Sequence, residues 1–310
     1  MVNGIAGILC SYNAESFIEK TLDSVFEQTV ALDSLIIIDD CSQDGTVRKI
    51  REYLSAHAMD VDRVKVHVNS CNLGISMSYN IGIKMCQSKY ALMLSHDDIN
   101  HPHRVALTLE AFSRGASIVC SYMHVPANGN DLLVSDFSPV LALGMALGNK
   151  IPAPTVALDV ALTKAHSLYF NPQHDSAEDY DLWCKFILKG FSFHVVPQKL
   201  VAYTVHDKQV SVIRQGEQKL IAEQIRLAYL QSLFPFLLIE QSEILIKILL
   251  YENHLIANLD RSFVEHITRE MNKRSANDGV GLLYDYIKNL LGTGEAVGET
   301  SDYVSTSGQR

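Results

Sequence analysis

The stretch "YALMLSHDDINHPHR", residues 90–104, decides how this chain is read. Its first six residues form a largely apolar run of strand length, and Pro102 near its end suits the first turn of a helix. Between them lie His96, Asp97, Asp98 and His101, with His103 just beyond. Four readings fit such a strand end: a His/Asp metal centre of a hydrolase, a carboxylate pair holding a divalent ion against a diphosphate, an acid/base pair, or a polar turn capping the helix that follows. Asp is a favoured turn and cap residue, so an isolated Asp-Asp pair is most often the last of these. The flanking sequence has to decide.

Upstream, "GIAGILC" (4–10), "SLIIID" (34–39) and "RVKVHV" (63–68) also read as strands. Between the first two, Phe17, Ile18, Leu22, Val25 and Phe26 recur at helical spacing, and Asp44 can cap a helix carrying Val47, Ile50, Tyr53 and Leu54. "NLGISMSYNIGIKMC" (72–86) opens on a glycine turn and continues as a helix, and "SIVCSY" (117–122) is a fifth strand. This alternation predicts an α/β fold, a mostly parallel central sheet flanked by helices. In such sheets ligands collect beyond the carboxyl ends of the strands. Ser11 and Tyr12, Asp39 and Asp40, and Asp97 and Asp98 all fall at those ends. One fold rule thus gathers three scattered motifs into one crevice, and the turn-only reading weakens.

No GxGxxG follows the first strand, and there is no Walker A motif and no GxSxG elbow. What remains is a crevice rich in carboxylates and poor in phosphate-binding glycines. A nucleoside diphosphate can be held there through Mn²⁺ or Mg²⁺. These ions prefer oxygen ligands and often need only one or two carboxylates besides phosphate oxygens and water.

The 310 residues suffice for one large domain or two smaller ones. A hydrophobic share of 47% with 20% charged residues is an ordinary globular balance, and a net charge of -9 argues against nucleic acid as a partner. The six cysteines are widely spaced with no CxxC, as expected of reduced thiols in a cytoplasmic chain. No basic leader precedes the first strand and no run reaches 18 apolar residues, so neither a signal peptide nor a membrane span is expected.

Five segments in order, "ILCSYNAESFIEKTLDSVFEQT", "LIIIDDCSQDGT", "NLGISMSYNIGI", "LMLSHDDINHPHR" and "SAEDYDLW", resemble glycosyltransferase family 2. The likeness spans about residues 4–206. It implies a GT-A fold with a Rossmann-like sheet, and an inverting transferase that uses a nucleotide-sugar donor. It further implies that Tyr12 stacks on the nucleobase beside the Cys10–Ser11 backbone. Asp40 would bond the base, commonly uracil, and Asn72, Gly74 and Asn80 would shape the wall near the sugar-phosphate. Asp97 would meet the ribose or the ion's shell, Asp98 would ligate the ion, and His206 would lie near the diphosphate or metal. Asp179 would be the general base, with Glu178 as its rival. Three positions depart from the family pattern: Ser95 stands where Asp is common, and Tyr79 and Thr204 stand where arginines are common. The last two remove positive charge from around the diphosphate. The other histidines of the 94–104 stretch read as surface or cap residues, and Asp181 points to a different helix face from Asp179.

Downstream, "AEDYDLWCKFILKG" (177–190) reads as a helix that buries Leu182, Phe186 and Leu188 or Lys189 and stops at Gly190. "FSFHVV" (191–196) and "LVAYTV" (200–205) read as two short strands. The expected organisation is a catalytic domain over 1–211, with a nucleotide-binding half (1–125) and an acceptor half (126–211). A C-terminal helical extension (212–291) and a polar, disordered tail (292–310) follow. The acceptor would be a hydroxyl of a glycan or a lipid-linked sugar. Besides packing on the catalytic domain, the helices leave two uses open, a peripheral contact at the inner face of a membrane and a homodimer. A His/Asp metallohydrolase and a non-catalytic nucleotide-sugar-binding protein are the rival functions.

Overall fold

The computed structural model describes residues 2–57, 63–134, 138–206, 209, 214–249, and 265, 267, 269, 270 and 287. The tail expected to be disordered, and most of the chain after 249, lie outside the described residues.

A nine-stranded sheet organises the chain. Its strands are β1 (Val2–Ser11), β2 (Ser34–Asp39), β3 (Val64–Val68), β4 (Ser88–Ser95), β5 (Ile99–Asn100), β6 (Ile118–Val125), β7 (Asn130–Leu132), β8 (Ala157–Asp159) and β9 (Phe193–Ala202). The order is β3-β2-β1-β4-β8-β6-β9-β5, with β7 beside β6. The first four positions are parallel. Beyond β4 the sheet turns mixed: β8 is antiparallel to both β4 and β6, and β9 returns parallel to β6. The expected mostly parallel character therefore belongs to the first half.

The helices are α1 (Ile18–Phe26), α2 (Thr46–Ala56), α3 (Ile75–Met85), α4 (Arg104–Ser113), α5 (Ser138–Leu147), α6 (Val160–Ala165), α7 (Glu178–Leu188), α8 (Gln215–Leu233) and α9 (Ile239–Leu249). Ile5, Leu9, Leu35, Ile37, Leu92 and Leu94 face one layer with Ile18 and Leu22 of α1, Ile50 of α2 and Val105 of α4. Ile8, Cys10, Ile36, Ile38 and Met93 face the other with Tyr79 and Ile83 of α3, Trp183 of α7 and Tyr229 of α8. Strands covered on both faces read as continuous apolar runs rather than alternating ones, which is how "SLIIID" and "YALML" announce themselves. Gly82 lets α3 approach β1: a Cβ there would lie 2.3 Å from Ile8 Cγ2. Ile225, Tyr229, Leu230 and Leu233 put α8 in the same core as α7.

Four local expectations change. Helix α4 starts at Arg104, so Pro102 lies in the turn before it. The Asp44 carboxylate accepts from the Thr46 N–H at 2.9 Å, but the residue preceding α2 is Gly45. Leu188 is exposed at the end of α7. The two short strands at 191–205 are one strand, β9, whose pairing with β6 jumps from Val196↔Ser121 to Lys199↔Tyr122. Pro197 and Gln198 take up the jump, as proline does at a bulge.

Candidate active site

The β1 and β2 ends meet in register, with Ser11 opposite Asp39. Asp39 is fully buried and accepts from Ser11 Oγ (3.0 Å), Ser42 N (2.8 Å) and Ser42 Oγ (2.6 Å). It holds the turn that presents Asp40. Asp40 Oδ1 accepts from Asn69 Nδ2 and the Leu73 N–H, and Oδ2 accepts from the Gly74 N–H, each at 2.8 Å. Asp40 thus clamps the 72–74 turn. Gly74 adopts φ +86°, the left-handed region that disfavours side chains, and a Cβ there would sit 2.8 Å from Asp175 Oδ2. Asn72 Nδ2 reaches the Asp40 carbonyl at 3.4 Å. Tyr12 stands 42% exposed beside this wall. Asn80 is spent elsewhere: its amide exchanges both hydrogen bonds with the Phe170 peptide at 2.8 and 2.9 Å, stitching α3 to the 170 loop.

At the β4 end the two adjacent carboxylates part company. Asp97 Oδ2 lies 2.9 Å from His206 Nε2, Ser95 Oγ donates to Asp97 Oδ1 at 2.5 Å, and His96 Nε2 stands 4.0 Å from Oδ2. Burial works to raise the Asp97 pKa, but His96, Ser95 and His206 together hold it below the usual carboxylate value. The His206 ring stacks on Phe17, centroids 4.4 Å apart. Asp98 turns inward. Its Oδ1 accepts from the Thr204 N–H at 3.1 Å, its Oδ2 is buried without a hydrogen-bond partner, and Arg104 lies beside it. Burial, then the charge of Asp97, pushes the Asp98 pKa up to about 8. Arg104 is itself buried, with Nη1 on Asn100 Oδ1 and Nη2 on the Met93 carbonyl. Helix α1 and the turn after it pin this loop: Thr21 Oγ1 donates to the His96 and Asp98 carbonyls, Ser24 Oγ accepts from the Asn100 N–H, and Gln28 Nε2, just past the helix, donates to the His101 carbonyl.

The third wall is the first turn of α7. Glu178 Oε2 accepts from the Ser176 N–H at 2.9 Å, and Asn149 Nδ2 donates to Asp179 Oδ2 at 2.8 Å. The helix N-terminus favours carboxylate ions, yet here burial outweighs it. Burial raises Asp179 to about 6, and burial with the Asp179 charge raises Glu178 to about 8. Asp181 is neither solvent-facing nor in the crevice; it pairs with Lys185 and with His174 at 3.3 Å.

These walls converge. Burial, then Asp40 and Glu178, drive the Cys10 thiol well above its usual pKa. Burial, then Cys10, Glu178, Asp98 and Asp97, do the same to the Tyr79 hydroxyl. Asp40, Asp97, Asp98 and Glu178 therefore lie within charge range of the β1 end and the Tyr79 hydroxyl, while Asp179 is not among the groups that act on them. Tyr79, where an arginine was expected, is core: its hydroxyl donates to the Leu94 carbonyl at 3.1 Å and its ring stacks on Phe170.

The family model of Glycosyl transferase family 2 matches residues 8–144, the segment that carries Tyr12, Asp40, the 72–74 turn, Asp97 and Asp98 but not His206 or the α7 carboxylates. Over that segment the chain is similar to glycosyltransferase family 2. This glycosyltransferase is 28% identical over 236 residues to an uncharacterized glycosyltransferase of Haemophilus influenzae, covering 72% of each chain. Its GT-A fold is that of S. aureus TarS 1–349 in complex with UDP-GlcNAc (TM-score 0.64, 16% identity, 94% of this chain and 87% of that one). It is also that of the mannosyltransferase PcManGT from Pyrobaculum calidifontis, solved with GDP-Man and Mn²⁺ (TM-score 0.60, 14% identity, 94% and 85%).

The hydrolase rival falls on geometry as well as kinship. His101 and His103 lie at the surface, where His101 Nδ1 accepts from the His103 N–H. No group of three metal-binding side chains forms among the described residues. Nor is any described helix long and apolar enough to cross a membrane. The sequence reading missed Phe17, Asn69, Asp175 and the part played by His96, whose Nδ1 donates to the Cys10 carbonyl at 3.3 Å. None of these carries a local motif; each is recognised only by its partner in space.

Proposed function

We propose that this glycosyltransferase moves a sugar from a uridine-diphosphate donor to a hydroxyl of a glycan or lipid-linked acceptor, with inversion. The observation that carries the reading is the Asp97–His206 pair at the β4 end, with Asp97 and Glu178 of α7 both in charge range of the Tyr79 hydroxyl. We assign the divalent ion to Asp97 and His206 rather than to Asp98. A carboxylate kept ionised beside an imidazole suits Mn²⁺ or Mg²⁺, which complete their shell with phosphate oxygens and water. Asp98 instead faces Arg104 and holds the Thr204 N–H, which places His206 two residues further on.

A bound ion would supply Lewis-acid stabilisation to the departing diphosphate. The protein's own groups do the rest. Tyr12 offers an exposed ring to the base, and Asp40 Oδ2, with one bond accepted, keeps a lone pair for the N3–H of uracil. Asp179 takes the proton of the acceptor hydroxyl as it attacks the anomeric carbon from the face opposite the diphosphate. A pKa of about 6 leaves it ionised at neutral pH yet still basic. Glu178, raised to about 8 beside it, is the partner that keeps the proton, and such a split between two acids marks their separate roles. TarS is recorded with UDP-GlcNAc and PcManGT with GDP-Man and Mn²⁺, which supports a nucleotide-sugar donor and a metal while leaving the base to the Tyr12–Asp40 wall. Calorimetry with Mn²⁺ tests it: UDP should bind more tightly than GDP or ADP, and equal affinities would defeat the uridine reading.

A further inference from the structure

The turn that leads into α7 holds a backbone conformation that its own side chain does not explain. Among the described residues Asn13, Cys41 and Ser167 have φ of +49°, +63° and +53°, close to the left-handed well at about +57°. Ser176 stands at +90°, beyond that well, where a residue with a Cβ is strained. Such a conformation persists only where its surroundings over-determine it. The hydroxyl offers no help: Ser176 is 5% exposed, and its Oγ is buried without a hydrogen-bond partner. The backbone groups are what is held. The Ser176 N–H donates to Glu178 Oε2 at 2.9 Å, and the Ser176 carbonyl accepts from Gln218 Nε2 at 2.7 Å.

Gln218 belongs to the first turn of α8, where Glu217, Lys219 and Leu220 are exposed and Gln218 alone is half-buried. The helix is a firm support. Ile225, Tyr229, Leu230 and Leu233 are buried in one core with Trp183 of α7, and the Tyr229 hydroxyl donates to the Ala142 carbonyl at 3.2 Å. The residue before Ser176 reaches the donor wall. Asp175 Oδ1 accepts from the Ser76 N–H in the first turn of α3 at 3.0 Å, and Arg214, just ahead of α8, lies 3.6 Å from Asp175 Oδ2. The Gln218 amide thus grips the backbone between the residue that touches α3 and the acid that opens α7. Without that grip Ser176 can relax to negative φ, which turns its N–H away from Glu178.

We propose that Gln218 is a positioning residue for Glu178: it holds Ser176 in the strained backbone that keeps the Ser176 N–H on the Glu178 carboxylate. The C-terminal extension thereby takes part in setting the acids of α7. The proposal rests on Glu178 and Asp179 being the catalytic acids. The Ser176 hydroxyl has no share in it, and a glycine at 176 would adopt the same φ without strain.

The test is a double-substitution cycle on the full chain, read first by hydrogen exchange of the residue-176 amide with no donor present. Gln218→Met keeps the side chain's length and removes the N–H. It should speed exchange of that amide by about fivefold or more, the weight of one hydrogen bond, while amides of β1 and β4 keep their rates. In the Ser176→Gly background the same substitution should cost under about twofold, because the conformation no longer needs holding. Ser176→Ala keeps the Cβ and loses the hydroxyl, so it should respond to Gln218→Met as the wild-type chain does. The second reading is UDP release from UDP-glucose and UDP-N-acetylglucosamine with Mn²⁺ and water as acceptor. Gln218→Met should lower kcat by about fivefold or more with KM changed under about twofold, and adding Ser176→Gly should restore the rate. Equal exchange penalties in the wild-type and Ser176→Gly backgrounds, an unchanged kcat in Gln218→Met, or an equal loss from Ser176→Ala alone overturns the proposal. A wild-type chain that releases no UDP counts instead against the proposed reaction, and the exchange cycle then decides whether Gln218 holds the turn.

Discussion

Replacing Asp97 and Asp98 one at a time separates the two carboxylates that the sequence places side by side. Asp97→Asn removes the ionised oxygen that faces His206 Nε2 at 2.9 Å, and with it an anionic ligand. Charge-assisted contacts of this kind are worth about 1.5–3 kcal/mol, or roughly 10- to 150-fold in affinity. Asp98→Asn should cost far less for binding. With its pKa at about 8 the Asp98 carboxyl is largely protonated at neutral pH, so the amide replaces a mostly neutral group. The amide oxygen can still accept from the Thr204 N–H, and Arg104 keeps Asn100 and the Met93 carbonyl. Calorimetric titration of UDP at fixed Mn²⁺ should therefore show a loss of about 10-fold or more for Asp97→Asn and only a few-fold for Asp98→Asn. His206→Ala should follow Asp97→Asn. The reverse order, with Asp98→Asn dead to metal-dependent binding and Asp97→Asn nearly intact, would refute the assignment and return the ion to Asp98.

Asp179→Asn should leave UDP and Mn²⁺ binding intact while transfer at saturating donor falls by about 100-fold or more, as for a lost general base; full activity would remove it from that role, and a dead Glu178→Gln would move the role one residue back. In the wild-type chain the transfer rate should climb with pH through about 6 as Asp179 ionises, and a flat profile across that value would contradict the assignment. Metal-free stability should decline from pH 5 towards pH 8, measured as melting temperature: Asp98 and Glu178 sit at about 8 when folded, so the folded chain holds protons that the unfolded chain releases near pH 4. That stability is complete below the unfolded pKa and is lost as pH rises through about 8, at most about 6 kcal/mol for Asp98 and about 5 kcal/mol for Glu178; a rising melting temperature over the window would argue against it. Gly82→Ala should destabilise by about 1–3 kcal/mol in urea titration, because its Cβ would meet Ile8 Cγ2 at 2.3 Å and overpack α3 against β1; an unchanged midpoint would show that the helix shifts freely.

How far the sequence carries depends on the range of the interaction involved. The β1, β2 and β4 strands were legible because burial on both faces writes a continuous apolar run, a signal of nearest neighbours alone. The convergence of their ends followed from a topological rule and needed no contact. Strand β9 was not legible as one element, because Pro197 interrupts its pattern and only the pairing with β6 shows that the chain bulges and resumes. The same limit governs the site. Asp97 and Asp98 are identical in type and adjacent, so no local pattern can rank them. Their difference arises from residues more than a hundred positions away: His206 comes to face one, and the Thr204 N–H comes to hold the other. Arg104, six residues on and buried, lies within charge range of the inward carboxylate. Once Asp98 is committed to the interior, its bond to Thr204 sets where the next residues of that segment lie, and His206 arrives beside Asp97. On the assignment proposed above, the inward acid positions His206 beside the outward one, a division of labour that two adjacent residues of one type cannot show in the sequence.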